Sequence, residues 1–461
     1  MPALLAHEHE YVSLRGREAD GFPLVNRSAL GRNIPLFIAF RVLFNARWYY
    51  PVLAVLFLDF GLSIEQYALL NVAWAVAIVG LEVPSGALAD QVGRKKMVVF
   101  SALLMVVEMA VFALAPRGNP SLLFLLFIVN RVLSGAAEAS ASGADEALAY
   151  DSLVAEGRAS EWPDVLERLM RWQSVAFFIT MMLGAAVYDA RFVQSVLDAL
   201  GLPWRVTQEM TMRFPIYLTL ANAVLALLAT LNLREPAAKE PRIPEQAVSV
   251  RTTWRATLAT GGWILSTPLA LGVILAGMCF DSIVRLFLTV ASNYYRLIAL
   301  PDAVFGLIGS GFALIGFVVP ALAKRLVSSG TMQANFTLIA VLTLAGLAGV
   351  AFVWPVYGLI WLVPLGVAMS LTQFFVSHYL NAAVTDSRRR ATVLSFRGLA
   401  FNLAYGGVGL LFAGLTHLLS RNSSADAVFV KALGWLPWYF AGTVALLGLA
   451  GSRLKLRARN K

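Results

Sequence analysis

The chain has 461 residues, 59% of them hydrophobic and 14% charged, with a mean hydropathy of +0.71 and a formal charge of +10. Soluble domains run at about 45–50% apolar and about 25% charged, so a soluble fold is excluded, and long apolar runs without two-residue alternation exclude a β-barrel. The positive charge does not point to nucleic acid, because five arginines fall inside apolar runs and most other basic residues fall in alternate loops.

In chain order, residues 1–33 form a polar, mixed-charge tail without the apolar core and small-residue cleavage site of a signal peptide, so the first span is expected to start insertion. His7 and His9 alternate there with Glu8 and Glu10; a solvated tail accounts for them, and no metal site is assigned. Apolar runs near the ~20 residues needed to cross hydrocarbon then predict twelve helices. They fall near 34–58, 65–89, 97–116, 121–147, 165–188, 214–233, 267–292, 302–326, 332–354, 356–380, 392–418 and 432–453. The expected fold is all-α and polytopic.

Of the 37 Lys and Arg, 25 lie in loops or at span ends on the side shared by both termini, 7 on the opposite side and 5 deeper inside spans. The positive-inside rule therefore predicts cytoplasmic termini. A polar stretch over 234–266, with Pro236, Pro241 and Pro244, links an N-terminal six-helix bundle (34–233) to a C-terminal one (267–453), and a basic tail follows over 454–461. Its 248–263 end reads as an amphipathic helix or a plain tether, and 189–213 as a short interfacial helix on the other side. The halves echo each other: Ala87-Leu88-Ala89-Asp90 matches Ala321-Leu322-Ala323-Lys324, and Tyr150-Asp151-Ser152 matches Thr385-Asp386-Ser387, at offsets of 234 and 235. An internal duplication explains both.

Charges within hydrocarbon are costly and usually pair or line a wet cavity. Helix 1 carries Arg41, Asn45 and Arg47, and Arg41 is expected to pair with Glu82 at similar depth on helix 2. Glu108 on helix 3 is given no role. On helix 4, Arg131, Glu138 and Asp145 recur every seven residues and are expected to share one face, as a proton or substrate path or as a neutralised seam. Helix 7 carries Asp281 and Arg285 four residues apart, a spacing that also fits a self-contained pair. The repeat offset maps Arg47 onto Asp281, so the two are expected to face each other across the pseudo-twofold axis. His378 on helix 10, with Arg397 and Asn402 on helix 11, completes the candidate pathway. The single cysteine, Cys279, excludes an intrachain disulfide.

The loop Gly86-x-x-x-Asp90-x-x-Gly93-Arg94-Lys95 and, more weakly, Arg131-x-x-x-Gly135 resemble the signatures of the major facilitator superfamily, and the resemblance covers the whole membrane region. It implies two six-helix bundles rocking about a central cavity, of a type similar to bacterial drug:proton antiporters. Two departures stand out: Pro320 and Lys324 replace the loop's Gly86 and Asp90 in the second half, and Met181–Ala186 lacks the glycine-proline pattern of antiporters. Glycines allow a tight turn, and Asp90 is placed to accept hydrogen bonds from Arg94 or from a neighbouring helix N-terminus. Gly86, Asp90, Gly93 and Arg94, with Asp145, Glu146 and Asp151, therefore form the expected cytoplasmic gate.

No phosphate-binding loop, zinc cluster or nucleophile elbow occurs, so no catalytic residue, metal or cofactor is assigned beyond an ion gradient, taken to be protons. Five intramembrane arginines balance Glu82, Glu108, Glu138, Asp145 and Asp281, which suits an anionic or zwitterionic solute with an apolar part. The expectation is a single-chain secondary transporter in a bacterial inner membrane, with the lipid bilayer and a small-molecule substrate as partners, working in efflux. An uptake symporter, a lipid flippase and a non-transporting receptor or scaffold are the alternatives.

Overall fold

The computed structural model describes residues 31–236, 250–383, 387–421 and 423–459. Pro241 and Pro244 of the linker and Thr385 and Asp386 of the internal repeat lie outside the described residues.

The first crossing is made in two pieces, α1 (Asn33–Asn45) and α2 (Leu53–Phe60), rather than as the continuous helix expected over 34–58. Pro51 has no N–H to offer the Arg47 carbonyl, so the helix is interrupted over Ala46–Tyr49. Backbone groups freed in hydrocarbon need new partners, and the sixth crossing supplies them. Trp48 N–H donates to Thr219 Oγ1 at 3.1 Å, and Asn222 Nδ2 donates to the Ala46 carbonyl at 2.9 Å.

Next, α3 (Ile64–Val92) starts on a capping box in which Ser63 and Gln66 exchange side-chain to backbone hydrogen bonds. It runs through Gly86 without a break. The turn expected over 86–96 is therefore confined to Gly93, whose φ of +102° lies in the region glycine alone tolerates without strain, and α4 (Arg94–Leu114) follows at once.

The fourth crossing, α5 (Pro120–Ala141), stops short of the expected 147, because Gly143 takes φ +74° and starts a separate helix, α6 (Ala144–Glu156). The fifth crossing is α7 (Trp162–Tyr188); α8 (Ala190–Ala199) and α9 (Gln208–Thr211) occupy the stretch read as interfacial, and α10 (Phe214–Leu231) closes the first half.

After the linker, α11 (Val250–Ser266) forms where an amphipathic helix was one of two expectations. The second half comprises α12 (Pro268–Leu297), α13 (Phe305–Ser329), α14 (Met332–Ala351), α15 (Leu362–Ala383), α16 (Ser387–Ser420) and α17 (Ala425–Arg459).

Among the described residues, every regular element is a helix, 11 helical stretches are long and apolar enough to cross a membrane, and α1 with α2 makes one further crossing. An even number of crossings places residues 31 and 459 on one face, here the terminal face; the other is the far face.

The two halves meet along α3 against α16, α7 against α13 and, near the far face, α2 against α12, and α11 touches both α3 and α16. Helices in lipid gain from close packing rather than from expelling water, so small residues decide where they touch. A Cβ on Gly306 would stand 2.1 Å from the Met181 carbonyl oxygen, so only glycine lets α7 and α13 meet there. Inside the first half, Phe57, Phe112 and Phe127 pack with ring centroids 5.0–5.2 Å apart, fixing α2 against α4 and α5.

Candidate functional site

A cavity of about 920 Å³ lies between the halves. The first half contributes Tyr50, Pro51 and Leu53 from beside the helix 1 break, with Phe177 and Met181 from α7. The rest of the wall belongs to the second half: α12 from Leu288 to Tyr295, α13 from Phe305 to Pro320 and α15 from Gly366 to His378. The cavity thus reaches from Ser292, near the far face, to Ser377 and His378, near the terminal-face end of α15. Among the described residues lining it there is no Asp, Glu, Lys or Arg.

The far face is shut over this cavity by bonds between the halves. Arg296, at the end of α12, donates to both carboxylate oxygens of Asp59, at the end of α2, at 2.6 and 2.8 Å, and to the Tyr188 hydroxyl at 3.3 Å. Two parallel N–H to O bonds give the pair both strength and a fixed orientation. Each charge also has a partner within its own half: Arg296 holds Asp302 at 2.6 Å, and Tyr188 donates to Asp59. Ser292 Oγ accepts from the backbone N–H of Ala54 and Val55, Tyr67 donates to the Thr289 carbonyl, and Ala303 N–H donates to Asp189.

The terminal face is organised differently. Arg41 sits 3.2 Å from Asp145 and 3.4 Å from Glu146, not beside Glu82 as expected. The break at Gly143 explains this, since it turns the start of α6 toward α1; Glu82 instead stands at the α3–α16 seam, 4.0 Å from where a Cβ on Gly398 would lie.

Arg94 donates to Asp151 and, at 3.1 Å, to the Ala147 carbonyl. The carboxylate at the N-terminus of α4 is Glu235, which accepts from the backbone N–H of Arg94 and Lys95 at 3.0 and 2.7 Å. That is the favourable place for an anion on a helix dipole. The side chain of Asp90, expected in that role, lies outside the described residues, and Gly86 is an ordinary helical residue. Asn33 completes the face, bonding Ser152 at 2.8 Å and the Arg234 carbonyl at 2.7 Å. These ties stay within the first half and the chain just after it.

Inside the membrane the expected cross-axis contact between Arg47 and Asp281 does not form. Arg47, 3% exposed, donates to both oxygens of the fully buried Glu108 at 2.9 and 3.0 Å, which accounts for that glutamate. Asp281 is held by Arg285 at 2.6 Å and by Gln373 Nε2 at 2.8 Å, and Arg285 donates to Asn402 at 2.9 Å while lying over the Tyr405 ring. In a low dielectric the nearest opposite charge wins, and both pairs were closer to hand than the axis.

The three-residue stripe on helix 4 does not form either. Arg131 is 6% exposed with its guanidinium 4.6 Å over Phe57, Glu138 is exposed, and Asp145 belongs to α6. Arg397 is half-buried on α16. His378 lines the cavity, its ring parallel to Phe374 at 6.4 Å. Among the described residues no group of three or more His, Cys, Asp or Glu is placed to hold a metal ion.

Asp59, Arg296, Tyr188, Asp302 and Gln373 escaped the reading of the sequence. Asp59 and Arg296 lie just past span ends, where charge is ordinary. Their separation of 237 residues, close to the repeat offset, was the available signal that they occupy equivalent positions in the two halves.

The family model for the Major Facilitator Superfamily matches residues 36–409. No curated protein matches the chain. Among solved structures, the nucleoside transporter NupG superposes with a TM-score of 0.63 at 14% identity, covering 90% of this chain and 99% of that one. A bacterial homolog of the human lysosomal transporter Spinster, inward-facing and unoccupied, gives 0.63 at 14%, covering 95% and 98%. A D-xylose-proton symporter gives 0.59 at 14%, covering 92% and 96%.

Proposed function

The chain belongs to the major facilitator superfamily, a family of transporters and not enzymes, and from that premise we propose that it carries a small, partly apolar organic solute by alternating access. The observation that carries this reading is the Asp59–Arg296 bridge, which seals the far face above a solute-sized cavity while the terminal-face ion pairs remain inside one half. Rocking the halves breaks this bridge and the contacts around Ser292. Arg296 then keeps Asp302, and Asp59 keeps Tyr188, so neither charge is stranded when the far face opens.

In this reading both termini are cytoplasmic, as the excess of basic residues on that side favours, so the described state is open inward. The transporter acts as a single chain in a bacterial inner membrane. Protons supply the driving force, with Glu138 and Asp281 as the coupling carboxylates. The direction we assign is efflux. Uptake is the second reading, favoured by the fold likeness to a proton symporter.

Purified protein in proteoliposomes decides between them. A ligand-stability screen nominates a solute, since ligands that bind the folded state raise its melting temperature. Solute flux that follows an imposed pH gradient in opposite directions for exchange and for cotransport then fixes coupling and direction, and absence of flux for every stabilising solute would reject transport.

A further inference from the structure

The intramembrane charges stand one layer behind the cavity wall, and the wall itself reads a different chemistry. One side of it is aromatic, with Tyr50, Phe177 and Phe312. The other is a hydrogen-bonding edge on α15, where Ser370, Gln373 and Ser377 follow at helical spacing on one face. We propose that the cargo is an uncharged molecule with a flat apolar body and an amide-like group, and that Gln373 is the residue that recognises this group. The proposal rests on the transporter reading and names its substrate class.

Gln373 is exposed to the cavity although it sits within a membrane crossing. One of its amide hydrogens is spent on Asp281 at 2.8 Å, and that carboxylate is itself held by Arg285. The bond fixes which way the amide points: the nitrogen faces Asp281. A carbonyl oxygen and a second N–H are left for the cavity, one acceptor and one donor side by side. The group that satisfies both at once is another amide, a lactam or a ureide.

A carboxylate fits poorly. It would meet the Gln373 oxygen and the field of Asp281, with no arginine or lysine on the described wall to compensate its lost hydration. The volume, about 920 Å³, holds a fused ring system with room to spare. The anionic cargo suggested by the count of arginines is thus replaced by a neutral one, because Arg47 and Arg285 are already paired with carboxylates.

The test is a matched pair of probes on the full-length protein in detergent: 1-naphthamide and its anionic isostere 1-naphthoate, at equal millimolar concentration. The amide is expected to raise the melting temperature by about 2 °C and the acid to leave it unchanged. Gln373→Leu should abolish the shift. The double variant Ser370→Ala/Ser377→Ala, which leaves the Gln373–Asp281 bond in place, should reduce it, so a folding defect in the first variant does not decide the matter.

Stabilisation by 1-naphthoate equal to or above that by 1-naphthamide, no shift with either, or a full shift in both variants would overturn the proposal. If instead the amide shift behaves as expected but the protein in proteoliposomes gives no naphthamide counterflow above that of protein-free vesicles, recognition stands and alternating access fails.

Discussion

Arg296 and Asp59, 237 residues apart in sequence, are joined by two hydrogen bonds of 2.6 and 2.8 Å across the boundary between the two halves. The pair sits at the far-face ends of the first and seventh crossings, and it places complementary charges at the point where the halves touch. Removing either charge should act on the equilibrium between states more than on folding.

For Arg296→Ala, losing the partly exposed bridge as a whole should cost the far-closed state about 1.5–3 kcal/mol. The ratio of closed to open should fall by about 10- to 100-fold. Far-side labelling of Leu288→Cys by a membrane-impermeant thiol reagent, in a Cys279→Ala background, is expected to accelerate accordingly. An unchanged rate would show that the bridge does not hold the gate.

Asp302→Ala should act with the opposite sign. In the closed state Arg296 has two carboxylates, and in the open state it has Asp302 alone. Losing Asp302 therefore penalises the open state more, and the same labelling should slow below the wild-type rate. Faster labelling would contradict the retained-partner scheme.

Glu108→Ala leaves the Arg47 guanidinium buried without its counter-ion, a change that typically destabilises by about 3–5 kcal/mol. A clear drop in melting temperature is expected, and Arg47→Met/Glu108→Leu should recover most of it. If the double variant melts as low as the single one, the pair does more than compensate charge.

Gly306→Ala introduces a Cβ that would lie 2.1 Å from the Met181 carbonyl, a backbone atom that cannot swing away. The clash exists only while α7 and α13 touch. Far-side labelling should rise as it does for Arg296→Ala, with little change in melting temperature; a large loss of stability would mean that the seam is a fixed part of the fold.

The crossings were legible because their cause is local: a run of apolar residues of sufficient length must span. The breaks were less so. Pro51 and Gly143 were in plain view, but Trp48-Tyr49-Tyr50 and the alanines around Ser142 count as apolar residues, so each run read as continuous. Partners were least legible, since Glu108 finds Arg47 only once α4 lies beside the break in the first crossing, and Arg41 reaches Asp145 only because α6 turns back. Gln373 carries no charge and so gave no signal at all; its importance comes from Asp281, which lies 92 residues away. Arg94 was expected to meet Asp90 within the motif, whereas the bonds described for its side chain go to Asp151 and Ala147, beyond it.

The cavity wall is mostly second-half side chains, with the first half supplying Tyr50, Pro51, Leu53, Phe177 and Met181. A solute seated there keeps nearly the same neighbours whichever side is open, because the half that holds it moves as one piece. Its affinity should then be similar from both compartments, so that swapping labelled for unlabelled solute outpaces net movement. Any uphill accumulation would then have to come from a coupled ion and not from a site that weakens on release.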